Sequence, residues 1–146
     1  MTEFRRILCA VDFSQPSERA FEYALALAAR LGAEVNVVHV YQVPAYALAD
    51  GLFEMPSEVV GELASRIKEQ LDQFVAAKAR PGVNSTARLC EGIPYVEIVR
   101  AAKDAAADMI VIGTHGRTGL NHLLVGSVAE RVVRTSDIPV VTVRTH

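Results

Sequence analysis

Along this chain, short apolar runs alternate with longer stretches in which apolar residues recur every three or four positions. The runs RRILCAVD (residues 5–12), AEVNVVHVY (33–41), STARLCE (85–91), DMIVIG (108–113) and PVVTVR (139–144) are rich in Val and Ile and read as strands. Between the first two, Ala20, Phe21, Ala24, Leu25, Ala28 and Leu31 fall on one face of a helix over 17–31. Ser14 and Pro16 suit its first turn, and Gly32 its stop. A second helix is predicted over 57–79, with Val60, Leu63, Ile67, Leu71 and Phe74 inward and Glu62 and Arg66 paired four apart outside; Pro81-Gly82 closes it. A third spans 94–106, opened by Pro94, and a fourth spans 127–135.

Strands alternating with helices imply right-handed crossovers and a mainly parallel sheet covered on both faces, a doubly wound α/β architecture. Near-continuous apolar strands such as MIVI agree, because a sheet covered on one face only would alternate with period two. The chain has 146 residues, 51% of them hydrophobic, and can bury roughly two-thirds of its unfolded surface, so one domain over 1–146 is expected. The stretch QVPAYALADGLFEMP (42–56) is expected to be a long connection, lying across the sheet rim or serving as a lid or partner contact.

A net charge of −2 without a Lys/Arg stripe argues against a nucleic-acid partner. The opening MTEFRRILCAVD lacks a signal-peptide core, and no run approaches the roughly eighteen apolar residues of a membrane span. A cytoplasmic protein with no membrane partner is the expectation. Cys9 and Cys90 each sit inside a strand-like run without metal-ligand spacing and read as small buried hydrophobes.

The segment GTHGRTGLNHLLVGS (113–127) places four glycines in fifteen residues between the fourth strand and the fourth helix. In an open parallel sheet, ligands bind at the carboxyl ends of the strands. There Gly113 and Gly116, lacking Cβ, let backbone N–H groups approach bound oxygens and permit positive φ. Gly126 and Ser127 stand at a helix start, where unsatisfied amides and the positive dipole end attract anions. The two donor sets suit a polyphosphate cradle; the same residues also suit a plain loop followed by a Ser127 cap. Neither a lysine-bearing P-loop nor a GxGxxG turn after the first strand is present.

The G-x2-G-x9-G-[S/T] spacing of this segment resembles the nucleotide-binding signature of ATP-binding universal stress proteins. The likeness extends through ILCAVDFSQPSERA, VVHVY, DMIVIGTHGRTG and SVAERVVRTSDIPVVTVR, nearly the whole chain. It implies a flavodoxin-like, Rossmann-like three-layer sandwich: five parallel strands in the order 3-2-1-4-5, helices on both faces, and a homodimer. Carried over by position, Gly113, Gly116, Gly126 and Ser127 would hold phosphates and ribose, and Val128 would add a backbone contact. Asp12 would face the ribose or phosphates, Ala10 and Val40 would border adenine, and Arg117 is a candidate phosphate contact or a solvated loop residue. Phe13 departs from the commoner small residue after the first-strand Asp, which leaves its contacts open. In that topology the last strand lies at the sheet edge, and dimerisation through Val140 to Val143 would cover it. Cys9 and Cys90 would be separated by the second strand, roughly 9 to 10 Å apart, too far for a disulfide.

Among other chemical groups, Asp12 is placed for a general base, a magnesium ligand, a ribose hydrogen bond or a helix cap. His115 reads as a loop residue, and His39 as a satisfied strand histidine rather than a metal ligand. Asp108 starts its strand on the opposite rim and reads as turn chemistry. No metal site and no GxSxG elbow is evident, so no catalytic residue is assigned. The resulting expectation is a dimeric ATP-binding universal stress protein, with or without Mg2+, whose nucleotide state a regulatory partner reads during stress. The alternatives are a phosphoryl or nucleotidyl transfer enzyme or slow ATPase, and a nucleotide-independent dimeric scaffold.

Overall fold

A computed structural model describes residues 3–43, 46–48, 51–114 and 127–144, and for 46–48, 52 and 53 the backbone. The elements run β1 (Arg6–Ala10), α1 (Gln15–Leu31), β2 (Glu34–Tyr41), β3 (Tyr46–Leu48), β4 (Gly51–Phe53), α2 (Ser57–Lys78), β5 (Ser85–Glu91), α3 (Pro94–Asp104), β6 (Met109–Gly113), α4 (Ser127–Thr135) and β7 (Val140–Val143). Five strands form one sheet in the order β5-β2-β1-β6-β7, with every pairing parallel. Counting only its own members, the sheet runs 3-2-1-4-5, the flavodoxin-like order.

Alternation along the strands sends side chains to two separate cores. Ile7, Cys9, Val35, Val37 and Val111 pack with Phe21, Leu25 and Leu71 of α1 and α2. Leu8, Ala10, Val38, Ile110 and Ile112 pack with Ile98, Ala102 and Val132 of α3 and α4. Both faces are buried, which is why the central strands show no polar alternation. Cys9 and Cys90 are free and buried, one in each core. No helix among the described residues is long and apolar enough to cross a membrane.

Local chemistry sets the ends of α1. The Ser14 side chain accepts from Ser17 N–H and Pro16 occupies the first turn, so the helix begins at Gln15, two residues before the predicted start. Gly32 ends it in the left-handed region at φ 68°, where a side chain would be strained. At the amino-terminal rim of the sheet, the Asp108 carboxylate accepts from Arg5 N–H (2.8 Å) and Arg6 N–H (2.9 Å), joining the start of β6 to the start of β1.

The 42–56 connection carries structure that its pattern does not predict: β3 and β4 form a two-stranded antiparallel hairpin, pairing Tyr46 with Phe53 and Leu48 with Gly51. Two three-residue strands are too short to show a period, and Gly51, at φ 125°, supplies backbone freedom at the start of β4.

Candidate functional site

A parallel sheet brings the start of each crossover helix to the carboxyl ends of its strands. Here a cavity of about 420 Å³ opens on that rim, at the point where the chain leaves β1 for one face and β6 for the other. Its floor is apolar, formed by Ala10, Val38, Val40, Ile98 and Ile112. Its rim is polar, carrying Asp12, Ser14, Ser17, Gln42, Thr114 and Ser127. The first turns of α1, α3 and α4 all reach it, through Ser14 and Ser17, Pro94, and Ser127 to Ala129. Helix starts present amides without acceptors inside the helix and carry the positive end of the dipole. Asp12 is the one charged side chain among the described lining residues.

The turn after β1 is tied by its own side chains. Asp12 Oδ1 accepts from Ser14 N–H at 3.0 Å and from the Ser14 hydroxyl. The Ser17 hydroxyl accepts from Asp12 N–H (3.2 Å) and donates to Ser14 C=O (3.0 Å). Asp12 is therefore part of a turn that caps α1 while it faces the cavity. Phe13, in the left-handed region at φ 65°, turns away from the cavity toward His39 and Phe74. His39 Nδ1 lies 2.7 Å from Val11 C=O. A carbonyl only accepts, so Nδ1 carries the proton, as expected of a satisfied strand histidine. Beside Gln42, the Tyr41 hydroxyl is pushed up by burial and then by the neighbouring Glu91 carboxylate, so it stays protonated.

Ala10, Asp12, Val40, Gly113, Ser127 and Val128, chosen from the sequence as ligand contacts, all line this one cavity. Gly116, Arg117 and Gly126, with His115, lie outside the described residues. The sequence suggests for Gly113 a close approach to bound oxygens and freedom for positive φ, and the structure adds a reason within the fold. The glycines with positive φ among the described residues are Gly32, Gly51, Gly82 and Gly92. Gly113 is instead needed for close approach, since a Cβ there would lie 2.9 Å from the Pro16 carbonyl oxygen of α1.

Sequence reasoning did not assign Thr114, Gln42, Ser17, Pro94 or Ile98 to the site. Thr114 had one signal available: a hydroxyl residue directly after an apolar strand end, on the rim where ligands collect. Its side chain is buried, with the hydroxyl at 3.4 Å from Val143 C=O, a long contact.

The apolar floor suits a flat base, and the hydroxyls and helix starts suit ribose and phosphate oxygens, in a volume within the ~300–1,000 Å³ typical of small-molecule sites. A magnesium ion accompanying phosphates would meet Asp12 as its protein carboxylate. Among the described residues, no group of three or more His, Cys, Asp or Glu could hold a metal on its own.

A family model described as the universal stress protein family matches residues 3–144. A universal stress protein of Methanocaldococcus jannaschii, MJ0531, is 35% identical over 97% of this chain and 82% of its own length. The solved structure of MJ0577, from the same organism, superposes with a TM-score of 0.81 over 99% of each chain at 26% identity. A universal stress protein of Archaeoglobus fulgidus, solved in complex with dAMP, superposes with a TM-score of 0.66 at 27% identity, over 97% of this chain and 98% of that one. With a family match along almost its whole length and the same sheet order, this chain belongs to the universal stress protein family.

Proposed function

We propose that the chain binds an adenine nucleotide, ATP in the first instance, in the cavity at the carboxyl ends of β1, β2 and β6. The carrying observation is the convergence of Ala10, Asp12, Val40, Gly113, Ser127 and Val128 on one cavity with an apolar floor and helix starts at its rim. The dAMP complex of the Archaeoglobus fulgidus relative supports adenine as the base. In this reading Ala10 and Val40 border adenine, Asp12 meets ribose or a phosphate-bound magnesium ion, and Ser127 and Val128 offer amides to phosphate. By resemblance, Gly116 and Gly126 are assigned to the phosphates, with Arg117 as a candidate contact, all three beyond the described residues.

The protein then acts as a cytoplasmic, nucleotide-dependent regulator in the stress response, as a homodimer through the edge strand β7, with a protein partner that reads its nucleotide state. Calorimetric titration of ATP, ADP, AMP and GTP, with and without magnesium, against wild type and Gly126→Val tests the binding. Stoichiometric ATP binding that the variant loses is the expected result. Equal binding by both proteins would refute the cradle, and absence of binding by wild type would favour a nucleotide-independent scaffold. Multiple turnover of ATP would favour the enzymatic reading, with Asp12 as base or metal ligand.

A further inference from the structure

Phe13, directly after Asp12, has φ 65°. For an L-residue this left-handed state is disfavoured by a factor of about ten or more, and a bulky side chain there is an outlier. The surroundings account for its persistence. The Phe13 ring centroid lies 4.5 Å from that of His39 on β2 and 5.6 Å, edge-on, from that of Phe74 on α2. Phe74 in turn stacks at 5.7 Å on Phe21, which is fully buried. His39 also holds Val11 C=O through its Nδ1–H. The chain is thus pinned on both sides of Asp12, at Val11 by a hydrogen bond and at residue 13 by an aromatic wedge. The left-handed residue reverses the chain so that Ser14 N–H returns to Asp12 Oδ1 at 3.0 Å.

We propose that Phe13 is a positioning residue for the nucleotide site: its ring, wedged between His39 and Phe74, keeps residue 13 left-handed, and that conformation aims Asp12 and the Ser14 cap at the cavity. The ligand in this inference is that of the proposed function, but the turn it concerns exists without ligand. The glycine and alanine variants separate conformation from bulk. Phe13→Ala removes the wedge and keeps the Cβ penalty, so the turn opens. Phe13→Gly removes both, and glycine visits positive φ about as readily as negative.

The test combines hydrogen exchange of the Ser14 amide in nucleotide-free protein with the ATP dissociation constant, both well below the melting temperature. Phe13→Ala is expected to lower Ser14 protection and ATP affinity about tenfold each, and Phe13→Gly only about threefold. Phe74→Leu, which loosens the wedge from the far side, is expected to lower both about threefold and serves if Phe13→Ala does not fold. A mere packing role would make glycine at least as damaging as alanine and leave ATP affinity unchanged; either result overturns the inference. If wild type binds no ATP, the proposed function fails, yet wild-type Ser14 protection in Phe13→Ala or Phe74→Leu would still overturn the positioning role.

Discussion

Replacing Gly113 by alanine tests whether the first glycine of the loop serves the fold or the ligand. A methyl group there would lie 2.9 Å from the Pro16 carbonyl oxygen, 3.0 Å from its carbonyl carbon and 3.3 Å from its Cβ. Ordinary carbon contacts begin near ~3.5 Å, so the two elements must separate by about half an ångström. No rotamer relieves this, because the nearest atoms are backbone in the first turn of α1. Gly113 itself is paired with Val143 in β7, and α1 is anchored to the sheet by fully buried Phe21, so neither side yields freely. Overpacking of this kind costs about 1–3 kcal/mol, or roughly 3–10 °C in melting temperature for a chain of this size. Thermal unfolding of ligand-free Gly113→Ala measures it. The displaced α1 start carries Ser14 and Ser17, so ATP affinity should fall in the same variant. A ligand-free melting temperature within about 1 °C of wild type would refute the close-packing argument and return Gly113 to a purely ligand-facing role.

Asp108→Ala leaves two backbone amides without their acceptor and should cost about 1–2 kcal/mol in denaturant unfolding; lying on the far rim, it should leave nucleotide affinity unchanged. Burial pushes the thiols of Cys9 and Cys90 up, so both should resist alkylation in the native protein at pH 8 and react once urea unfolds it, as thiol titration would show. Lys78 bridges α2 to α1 through Glu18 and Glu22, both at 2.8 Å, and those bonds raise its pKa above the usual 10.5. A raised folded pKa means the contribution is present below pH 10.5 and is lost as pH rises through the folded value. Lys78→Ala should therefore cost up to about 1 kcal/mol at pH 7 and progressively less in alkaline melts. Ala106 follows α3 at φ 50°, so Ala106→Gly should raise the melting temperature, with a gain of about 1 kcal/mol.

Elements governed by neighbours in sequence were legible. The period of α1, its Ser14 cap and its Gly32 stop are local chemistry, and α4 covers the 127–135 range expected of it. Alternation of strands and helices was enough to predict a parallel, two-sided sheet, while the strand order came from resemblance and agrees with the structure. What depends on segments meeting across the fold was not legible. Nothing near Gly113 in the sequence announces that Pro16 will press on it. The left-handed state of Phe13 depends on Phe74, which is sixty-one positions away. Thr114, Gln42 and Ile98 join the site because three crossovers begin on one rim, a property of topology rather than of any motif.

The stripe predicted for α2 is unevenly submerged: Leu71 is buried, as is Val75 beside the stripe, whereas Val60, Leu63, Ile67 and Phe74 are half-buried and Val59, off the stripe, is open to solvent. The element that supplies Phe74 is thus moored at its carboxyl half. Phe74 therefore joins the aromatic wedge from the anchored half of its helix, so amide exchange along α2 should slow from the amino end toward Phe74.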